Sequence, residues 1–344
     1  MEYEIELKLL TNEQAGDIIE TKLLPLLNAS VTQDTVVLSN HYFDTPDKTL
    51  RQHDIGLRIR GNKQTFEQTL KTAGKSLGGL HQRPEYNVSL DQSKNQSIKL
   101  PELKLFPCSA WPETINVDDL QTKIETLFTT HFERKIYLIE LSQGDIVELV
   151  WDVGEITWGN KNVAICEIEL ELKKGSTTAI FDLAKHIVRL LPVSIGIDSK
   201  AARGYNLLND LPAKKIAQYH PLMLKNMQTE TKDFVDFLTT LLFDFQVYSA
   251  EIRRQYSDVL ATNISLILSD LVECMLNFNH HCPCLPLSRL HIELKALLND
   301  WSLITSKMDK KAASILLTRA HTTQIQLDIT QCLVEQPWSP VGNI

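Results

Sequence analysis

The strongest constraint on the fold is an alternation of charged and aliphatic residues that recurs in the first half of the chain. In the opening segment "EIELKLL", Glu4, Glu6 and Lys8 alternate with aliphatic residues. Successive side chains of a β-strand point to opposite faces, so this segment predicts a strand with one charged and one aliphatic face. The same alternation occurs in "GLRIRG" at 56–61, "FEQTLK" at 66–71, "RPEYN" at 83–87 and "CEIELEL" at 166–172.

The recurrence of these charged faces favours an enclosed site over a solvated surface. A single strand of this kind ordinarily turns its polar face to water. Here like charges stand two residues apart, as in Arg58 and Arg60 or in Glu167 and Glu169. Like charges on one face repel each other unless a group of opposite charge lies between them. We therefore expect the charged faces to line the inside of a barrel, with the aliphatic faces outside.

The spacing of extended segments predicts the barrel itself. Turn residues separate many segments of mainly antiparallel character, which is typical of a closed or nearly closed barrel. Apolar residues at helical spacing predict three covering helices, at 11–27, 117–130 and 177–191. These helices would bury the aliphatic faces of the strands.

The pattern changes in the C-terminal part of the chain. From about His220 onward, apolar residues recur at helical spacing and no alternating segment is found, which predicts an antiparallel helical bundle. The predicted organisation is α+β, with a barrel domain over 1–205, a linker over 206–219 and an all-α domain over 220–344.

Composition excludes several classes of protein. The formal net charge of -8 argues against a protein that binds nucleic acid through overall basic charge. No uninterrupted apolar run approaches the roughly 20 residues that span a bilayer, and no signal-peptide pattern opens the chain. The six cysteines are sparse for 344 residues, so we interpret them as reduced thiols of a cytoplasmic protein. The sequence does not predict the oligomeric state.

A barrel interior of this composition has a chemical meaning. Clustered carboxylates supply the hard oxygen ligands that Mg²⁺ and Mn²⁺ prefer. Clustered arginine and lysine side chains supply bidentate and point-charge partners for phosphate oxygens. Acids for a metal and bases for phosphate in one cavity predict a site for a metal-bound polyphosphate.

The residues that carry this pattern resemble a known family. "EIELK" at 4–8 matches the Glu-x-Glu-x-Lys signature of the CYTH domain, also called the triphosphate tunnel metalloenzymes. The segments "LRIR", "TLK", "RPE", "FERK", "WDVG", "EIELE" and "SKAARGY" follow in the order of that family, up to about residue 205. The resemblance implies an eight-stranded antiparallel barrel whose tunnel binds triphosphate with Mg²⁺ or Mn²⁺.

The resemblance also implies roles for individual residues. The candidate metal ligands are Glu4, Glu6, Asp152, Glu167 and Glu169, with Glu85 and Glu171 contributing through water or from behind the ligands. The candidate phosphate-binding residues are Lys8, Arg58, Arg60, Lys71, Arg83, Arg134, Lys200 and Arg203. The implied chemistry is in-line attack of water on a terminal phosphoryl group, with Glu4, Glu6, Lys8, Glu169 and Lys200 as catalytic candidates.

Two positions depart from simple alternation. Arg134 has the same parity as Ile136 and Leu138, for which a bulge or a strand end is one explanation. Pro84 stands between two site candidates and predicts an edge or an irregularity at that point.

The helical region resembles a partner domain only by position. Bacterial CYTH domains are often followed by a CHAD domain, a basic and histidine-rich helical module that binds polyphosphate. The region 220–344 lacks the Arg–His helix pattern of that domain, so we interpret it as CHAD-like and degenerate. His280, Cys282 and Cys284 are zinc-capable, but their spacing is not a standard zinc pattern and favours an interhelical loop.

The preferred function is a metal-dependent inorganic triphosphatase that converts tripolyphosphate to pyrophosphate and phosphate. Two alternatives of the same fold remain open, a thiamine triphosphatase and a class IV adenylate cyclase, because all three grip a triphosphate in similar ways. A third alternative is a non-catalytic polyphosphate-binding protein, which would have less use for four carboxylates in one cavity.

Overall fold

The computed structural model describes residues 2–61, 65–90, 100–208, 218–221 and 231–338. The chain forms two compact units, one comprising Met1–Ser76, Leu80–Ile180 and Asp198–Pro212 and the other Leu77–Gly79, Phe181–Ile197 and Ala213–Ile344. Most of the predicted linker at 206–219 lies outside the described residues.

Ten strands occur in the described part of the chain. They are β1 (Glu2–Leu10), β2 (Ala29–Asp44), β3 (Gly56–Gly61), β4 (Phe66–Lys71), β5 (Lys75–Leu77), β6 (Leu80–Leu90), β7 (Glu125–Leu141), β8 (Ile146–Trp158), β9 (Lys161–Lys174) and β10 (Ser194–Ile195).

The helices alternate with the strands at first and then follow one another. They are α1 (Ala15–Ile18), α2 (Leu24–Leu26), α3 (Thr49–Gln52), α4 (Val117–Lys123), α5 (Thr177–Leu190), α6 (Lys200–Leu208), α7 (Thr231–Arg254), α8 (Asp258–His281), α9 (Leu285–Ser306), α10 (Lys310–Thr318) and α11 (Ala320–Glu335). A π-helical turn at Ile19–Leu23 joins α1 to α2, and 3₁₀ turns occupy Leu103–Leu105 and Cys108–Ala110.

Eight strands form a closed antiparallel barrel in the first unit. They follow the order β1-β9-β8-β7-β2-β3-β4-β6, and β6 pairs with β1 to close the ring. In these pairings Glu6 lies opposite His81 of β6, and Lys8 lies opposite Glu169 of β9. The predicted fold class, an eight-stranded antiparallel barrel followed by a helical region, is confirmed.

The charged faces point into the barrel, as the alternation predicts. Glu4, Glu6 and Lys8 line an interior cavity to which all eight barrel strands contribute. Leu7 and Leu9, on the opposite face of β1, are fully buried outside it. The aliphatic face therefore packs against the outer layers, and the charged face is enclosed.

The predicted covering helices differ in their bounds. The helix expected over 177–191 is α5, but the helix expected over 117–130 ends at Lys123. Leu127 and Phe128 belong to β7 instead, where the register with β2 shifts and leaves Leu127 as an extra residue. Their apolar spacing imitates a helix because this bulge breaks the alternation of the strand. The helix expected from residue 11 begins at Ala15.

The wall of the tunnel is not uniformly charged. The register of β7 with β8 runs unbroken past Arg134, which lies opposite Asp152. The predicted bulge or strand end at Arg134 is therefore wrong. Ile136 and Leu138 share its face, and Val150 of β8 also lines the cavity, so the inner face mixes apolar and charged residues.

Pro84 lies within β6 at the point where one pairing ends. The pairing of β4 with β6 ends at Lys71 and Glu85, and Thr72 N then donates to Pro84 O at 3.1 Å. On the other side, Pro84 lies opposite Tyr3 of β1. The missing N–H of proline is tolerated because the ladder with β4 has already finished there.

Asp44 connects three elements at one end of the barrel. Its carboxylate is fully buried, and Oδ1 accepts from Thr45 N at 2.7 Å and Leu50 N at 2.8 Å. Oδ2 accepts from Arg51 N at 3.0 Å and from the Tyr205 hydroxyl at 2.7 Å. The residue thus shapes the turn after β2, caps α3 and holds α6.

Replacing Asp44 by alanine is expected to lower the free energy of unfolding by about 3 kcal/mol, because four buried donors lose a charged acceptor. Urea denaturation followed by tryptophan fluorescence measures the change. Asp47→Ala is the matched control, since Asp47 is exposed and its loss should move the denaturation midpoint far less than the loss of Asp44. Equal midpoints for the two variants would contradict the assigned role.

The second unit is built around the core of helices α7 to α11. Trp301 is fully buried there, and its indole Nε1 donates to Ser265 Oγ at 3.0 Å. The rings of Phe234 and Phe278 are stacked with their centroids 3.7 Å apart. The predicted helical bundle is confirmed, whereas its CHAD-like character stays a prediction.

Helix α8 is long and apolar enough to cross a membrane by length and composition alone. However, 56% of the stretch that passes this test is buried inside the structure, as in the core helix of a globular unit. The sequence shows no uninterrupted apolar run at this place because Asp270 and Glu273 interrupt it.

Candidate active site

The candidate site is the tunnel through the barrel, with a cavity of about 380 Å³. Twelve of the predicted site residues line it: Glu4, Glu6, Lys8, Arg58, Arg60, Lys71, Arg83, Glu85, Arg134, Glu169, Glu171 and Lys200. The remaining three, Asp152, Glu167 and Arg203, contact these residues or each other through ion pairs. The fold therefore brings together side chains that are up to about 200 residues apart in sequence.

Three carboxylates form a buried cluster on β8 and β9. Asp152 and Glu167 are fully buried and lie opposite each other in the ladder, and Glu169 is 8% exposed. One oxygen atom from each of the three carboxylates lies within 4.8 Å of the other two. This is a spacing at which hard oxygen ligands can share one divalent cation.

Basic side chains contact every member of this cluster, which we call the acid triad. Lys200, at the beginning of α6, lies 2.6 Å from Asp152, 2.5 Å from Glu167 and 3.0 Å from Glu169, measured from Nζ to the nearest carboxylate oxygen. Lys8 Nζ donates to Glu167 at 3.0 Å and also to Glu169. The triad is therefore neutralised by the protein itself.

These contacts keep both partners charged. Burial by itself would raise the pKa of Glu169, but Lys200, Lys8 and Arg134 outweigh it and hold that pKa well below its usual range. Burial would likewise lower the pKa of Lys8, but Glu167 and Glu169 raise it well above the ordinary value. Glu169 and Lys8 are thus both charged at neutral pH.

A second cluster lies between β1, β3, β4 and β6. Lys71 contacts Glu4 and lies 3.2 Å from Glu85, and Arg58 lies 3.8 Å from Glu85. Burial raises the pKa of Glu4 to about 7, against the opposing effect of Lys71 and with a further rise from Glu6. A carboxyl group with this pKa can exchange a proton near neutral pH.

Arg60 is a half-buried cation with a different environment. Its Nε donates to Asn40 Oδ1 at 2.9 Å, and no carboxylate of the described residues forms an ion pair with it. Burial, together with the neighbouring Arg58 and Arg134, lowers its pKa to about 9. A guanidinium held among like charges in an enclosed cavity indicates a place for an anion.

Comparison with known proteins identifies the barrel. The family model of the CYTH domain matches residues 2–205. The chain belongs to the CYTH domain family. An inorganic triphosphatase from Haemophilus influenzae is 37% identical over 207 residues, which are 59% of this chain and 54% of the relative. The chain thus spans about half the length of that curated relative.

Two solved structures are similar to the CYTH unit. A putative adenylyl cyclase from Hippeastrum, described as having a dominant triphosphatase activity, is 20% identical and aligns over 59% of this chain and 95% of its own, with a TM-score of 0.40. A putative adenylate cyclase from Bacillus halodurans is 21% identical and aligns over 59% of this chain and 98% of its own, with a TM-score of 0.36. Superpositions at these scores support no conclusion about function.

The CYTH tunnel also contains residues that the sequence did not reveal. His81 lines the cavity opposite Glu6, and Tyr42 lines it on β2. Asn40, which orients Arg60, is itself held by a hydrogen bond from its Nδ2 to Thr130 Oγ1 at 2.9 Å. The parity of Asn40 and Tyr42 on β2 would have been a usable signal, whereas a single histidine carries none.

Other predicted residues make local contacts at the tunnel wall. Arg83 lies 3.6 Å from Asp54, and Glu171 lies 2.7 Å from Lys173. Among the residues that the structure describes, the acid triad is the group placed to hold a metal ion, and the His280, Cys282 and Cys284 loop forms no such group.

Gly204 allows α6 to approach the barrel closely enough for Lys200 to reach the acid triad. A Cβ atom at this position would lie 2.0 Å from Phe128 Cε2, too close for two non-bonded carbons. Gly204→Ala is expected to displace α6, with a loss of about 1–3 kcal/mol in stability and a lowered turnover at this candidate site.

Thermal melting and steady-state kinetics measure these two effects of Gly204→Ala. Gly56→Ala is the stability control, because a Cβ at Gly56 would meet nothing within 4 Å. A Gly204→Ala variant that melts and turns over like the wild type would show that α6 does not need this approach.

Proposed function

We propose that the CYTH tunnel of this chain is a metal-dependent inorganic triphosphatase that converts tripolyphosphate to pyrophosphate and phosphate. The observation that carries the proposal is the division of the cavity. Carboxylates cluster on β8 and β9, while the half-buried Arg60 lies near the guanidinium groups of Arg58 and Arg134 and has no carboxylate ion pair in the described residues. This division fits an anion that is bound partly by protein cations and partly by a metal.

The similarity to a curated inorganic triphosphatase favours tripolyphosphate over other triphosphates. The relative is matched over about half of its length, so the substrate belongs to this proposal. A reducing cytoplasmic location is also part of it, in line with six cysteines that are free thiols.

The chemistry of the ligands fits Mg²⁺ or Mn²⁺. Asp152, Glu167 and Glu169 offer clustered carboxylate oxygens, and Glu4 and Glu6 face the same cavity from β1. We assign these five as the metal-holding residues and give Glu85 and Glu171 supporting positions through water. When bound, such a cation neutralises charge on the phosphate oxygens and lowers the pKa of water.

The basic residues of the tunnel would bind and orient the substrate. Arg58, Arg60 and Arg134 present planar guanidinium groups suited to phosphate oxygens, while Lys8, Lys71, Arg83, Lys200 and Arg203 complete the basic set. Asn40 orients Arg60 before any ligand arrives. Donors fixed in this way need no reorganisation during reaction, and in an enclosed site each charge-assisted hydrogen bond is stronger than in water.

An acidic side chain would orient the attacking water. Glu4 fits this role because its carboxylate lines the cavity and can accept a hydrogen bond from a water beside the bound phosphate.

A panel of substrates tests the proposal. Tripolyphosphate, pyrophosphate, long-chain polyphosphate, ATP and thiamine triphosphate are each incubated with Mg²⁺ or Mn²⁺, and the products are identified. We expect tripolyphosphate to be cleaved fastest, to equal amounts of pyrophosphate and phosphate, and a chelator to stop the reaction. Faster cleavage of thiamine triphosphate would instead indicate a thiamine triphosphatase. Formation of cyclic AMP from ATP without orthophosphate would indicate a class IV adenylate cyclase. If no triphosphate is turned over, the remaining alternative is a non-catalytic polyphosphate-binding protein.

A further inference from the structure

All six oxygen atoms of the acid triad already accept from basic side chains. Glu167 Oε1 accepts from Lys8 and Lys200, and its Oε2 accepts from Arg203 at 3.0 Å. Glu169 Oε1 also accepts from Lys8 and Lys200, and its Oε2 accepts from Arg134 at 2.8 Å.

The third carboxylate is occupied in the same way. Asp152 Oδ1 accepts from Arg134 Nε at 2.7 Å, while Oδ2 lies 2.7 Å from Arg134 Nη2 and 2.6 Å from Lys200 Nζ. Three carboxylates therefore face four cations, and each of the six oxygens of the acid triad has a cationic partner.

This occupancy opposes binding of a metal by itself. A divalent cation entering the triad would meet four positive side chains in a buried setting, where charges are poorly screened. It would also have to break ion pairs whose separation leaves a buried charge without a partner. The protein bases and the metal thus compete for the same oxygens.

The lysine and arginine side chains that contact the acid triad could also bind the phosphate oxygens of a triphosphate. Lys8, Lys200 and Arg134 all line the cavity into which a triphosphate would enter. Phosphate oxygens are equivalent partners for ammonium and guanidinium groups. A base that turns from a carboxylate to a phosphate oxygen keeps an anionic partner, and the carboxylate oxygen that it leaves becomes available to a metal.

We infer that triphosphate and metal bind this site cooperatively, because the arriving phosphates draw Lys8, Lys200 and Arg134 away from the acid triad and so expose its oxygens. The inference rests on the proposed function for the identity of the ligand. It gives Lys200 a further role, that of masking the metal ligands while the tunnel holds no triphosphate. Coupling between two ligands is reciprocal, so the metal must strengthen binding of the triphosphate by the same factor.

The test measures metal binding without catalysis. Mn²⁺ is titrated into the phosphate-free protein and followed by electron paramagnetic resonance, for the wild type and for Lys200→Met. Removing Lys200 frees one contact on each of the three carboxylates, so we expect Lys200→Met to bind Mn²⁺ at least about 10-fold more tightly than the wild type, within the usual range of coupling. Lys135→Met is the matched control, because Lys135 pairs with Glu20 away from the acid triad and should leave Mn²⁺ affinity unchanged.

A second measurement uses the wild type alone and does not depend on how the variant folds. Equilibrium dialysis at fixed free Mn²⁺ compares binding with and without an imido-linked tripolyphosphate that resists hydrolysis. We expect the analogue to raise the protein-bound Mn²⁺ beyond what the analogue binds in protein-free dialysis.

The outcomes separate this inference from the proposed function. If no triphosphate is hydrolysed but Lys200→Met and the analogue both strengthen Mn²⁺ binding, the inference stands and the proposed reaction fails. If tripolyphosphate is hydrolysed but Mn²⁺ binds the phosphate-free wild type as tightly as the analogue complex, the inference is overturned and the reaction stands. A folded Lys200→Met with unchanged or weaker Mn²⁺ affinity would also overturn it.

Discussion

Glu169→Gln is expected to lower the turnover of tripolyphosphate by more than about 100-fold. Even the outer partners of metal ligands are commonly worth 10- to 100-fold in activity, and this residue offers its oxygens directly. An amide has one acceptor oxygen, whereas the Glu169 carboxylate accepts from Lys8, Lys200 and Arg134. Its NH₂ group would instead face these cations with the wrong polarity.

The pH dependence of this variant adds a second criterion. Lys200, Lys8 and Arg134 outweigh burial and hold the pKa of Glu169 well below its usual range, so the wild-type carboxylate stays ionised across the working pH range. No change of pH between about 6 and about 9 should therefore restore the variant. Phosphate release measured across that range tests this expectation.

Glu133→Gln is the matched control for Glu169→Gln. Glu133 is exposed, and on β7 it is adjacent to Arg134 but points to the outer face. We expect wild-type kinetics from Glu133→Gln. If Glu169→Gln kept more than about a tenth of wild-type turnover, Glu169 would not be a metal ligand. Even residues that only hydrogen-bond to metal ligands cost about 10-fold or more when they are lost.

Arg60→Met is expected to raise the KM for tripolyphosphate by about 10- to 100-fold, since a hydrogen bond to a charged group contributes about 1.5–3 kcal/mol. The substitution keeps an unbranched apolar stem in place of the arginine stem and removes only the guanidinium. Initial-rate kinetics at saturating metal measure the change. The KM of Arg60→Lys should lie between those of the wild type and Arg60→Met, because lysine restores the charge but not the planar pair of donors.

The same substitution should leave the stability of the barrel unchanged or raise it. Burial and the neighbouring arginines lower the pKa of Arg60 to about 9, which shows that the folded protein holds this charge at a cost. Loss of the bond to Asn40 Oδ1 opposes the gain. Thermal melting of Arg60→Met and of Arg51→Met, an exposed arginine on α3, provides the comparison. A fall in melting temperature as large as that of Asp44→Ala would mean that Arg60 is structural.

The sequence predicts the barrel and its inverted faces because strand parity is a strictly local property. Glu4, Glu6 and Lys8 lie on one face of β1 regardless of the rest of the chain. Whether that face points into the barrel or to solvent can be predicted only with the other strands. The like charges that recur on these faces indicate that they point inward, because like charges on one strand face repel each other unless a group of opposite charge lies between them. The family resemblance then supplies the roles of the residues, which stay proposals.

Other features depend on contacts that no local pattern encodes. Leu127 and Phe128 have helical spacing, but a bulge in the pairing of β2 with β7 places them in a strand. The contacts of Asn40 with Arg60 and Thr130 join three strands and have no sequence signature. The occupancy of all six triad oxygens is likewise a matter of three-dimensional distances, because Lys200 reaches the triad from α6.

The closure of the barrel has a consequence for how the protein is made. β1 pairs with β6 on one side and with β9 on the other, and its partner Glu169 lies 161 residues after Lys8. At synthesis rates of about 5–20 residues per second, this strand waits on the order of ten seconds or more for its last partner. Of the eight barrel strands, β1 leaves the ribosome first and is among the last to be fully paired, so a nascent chain stalled before β9 should have no acid triad.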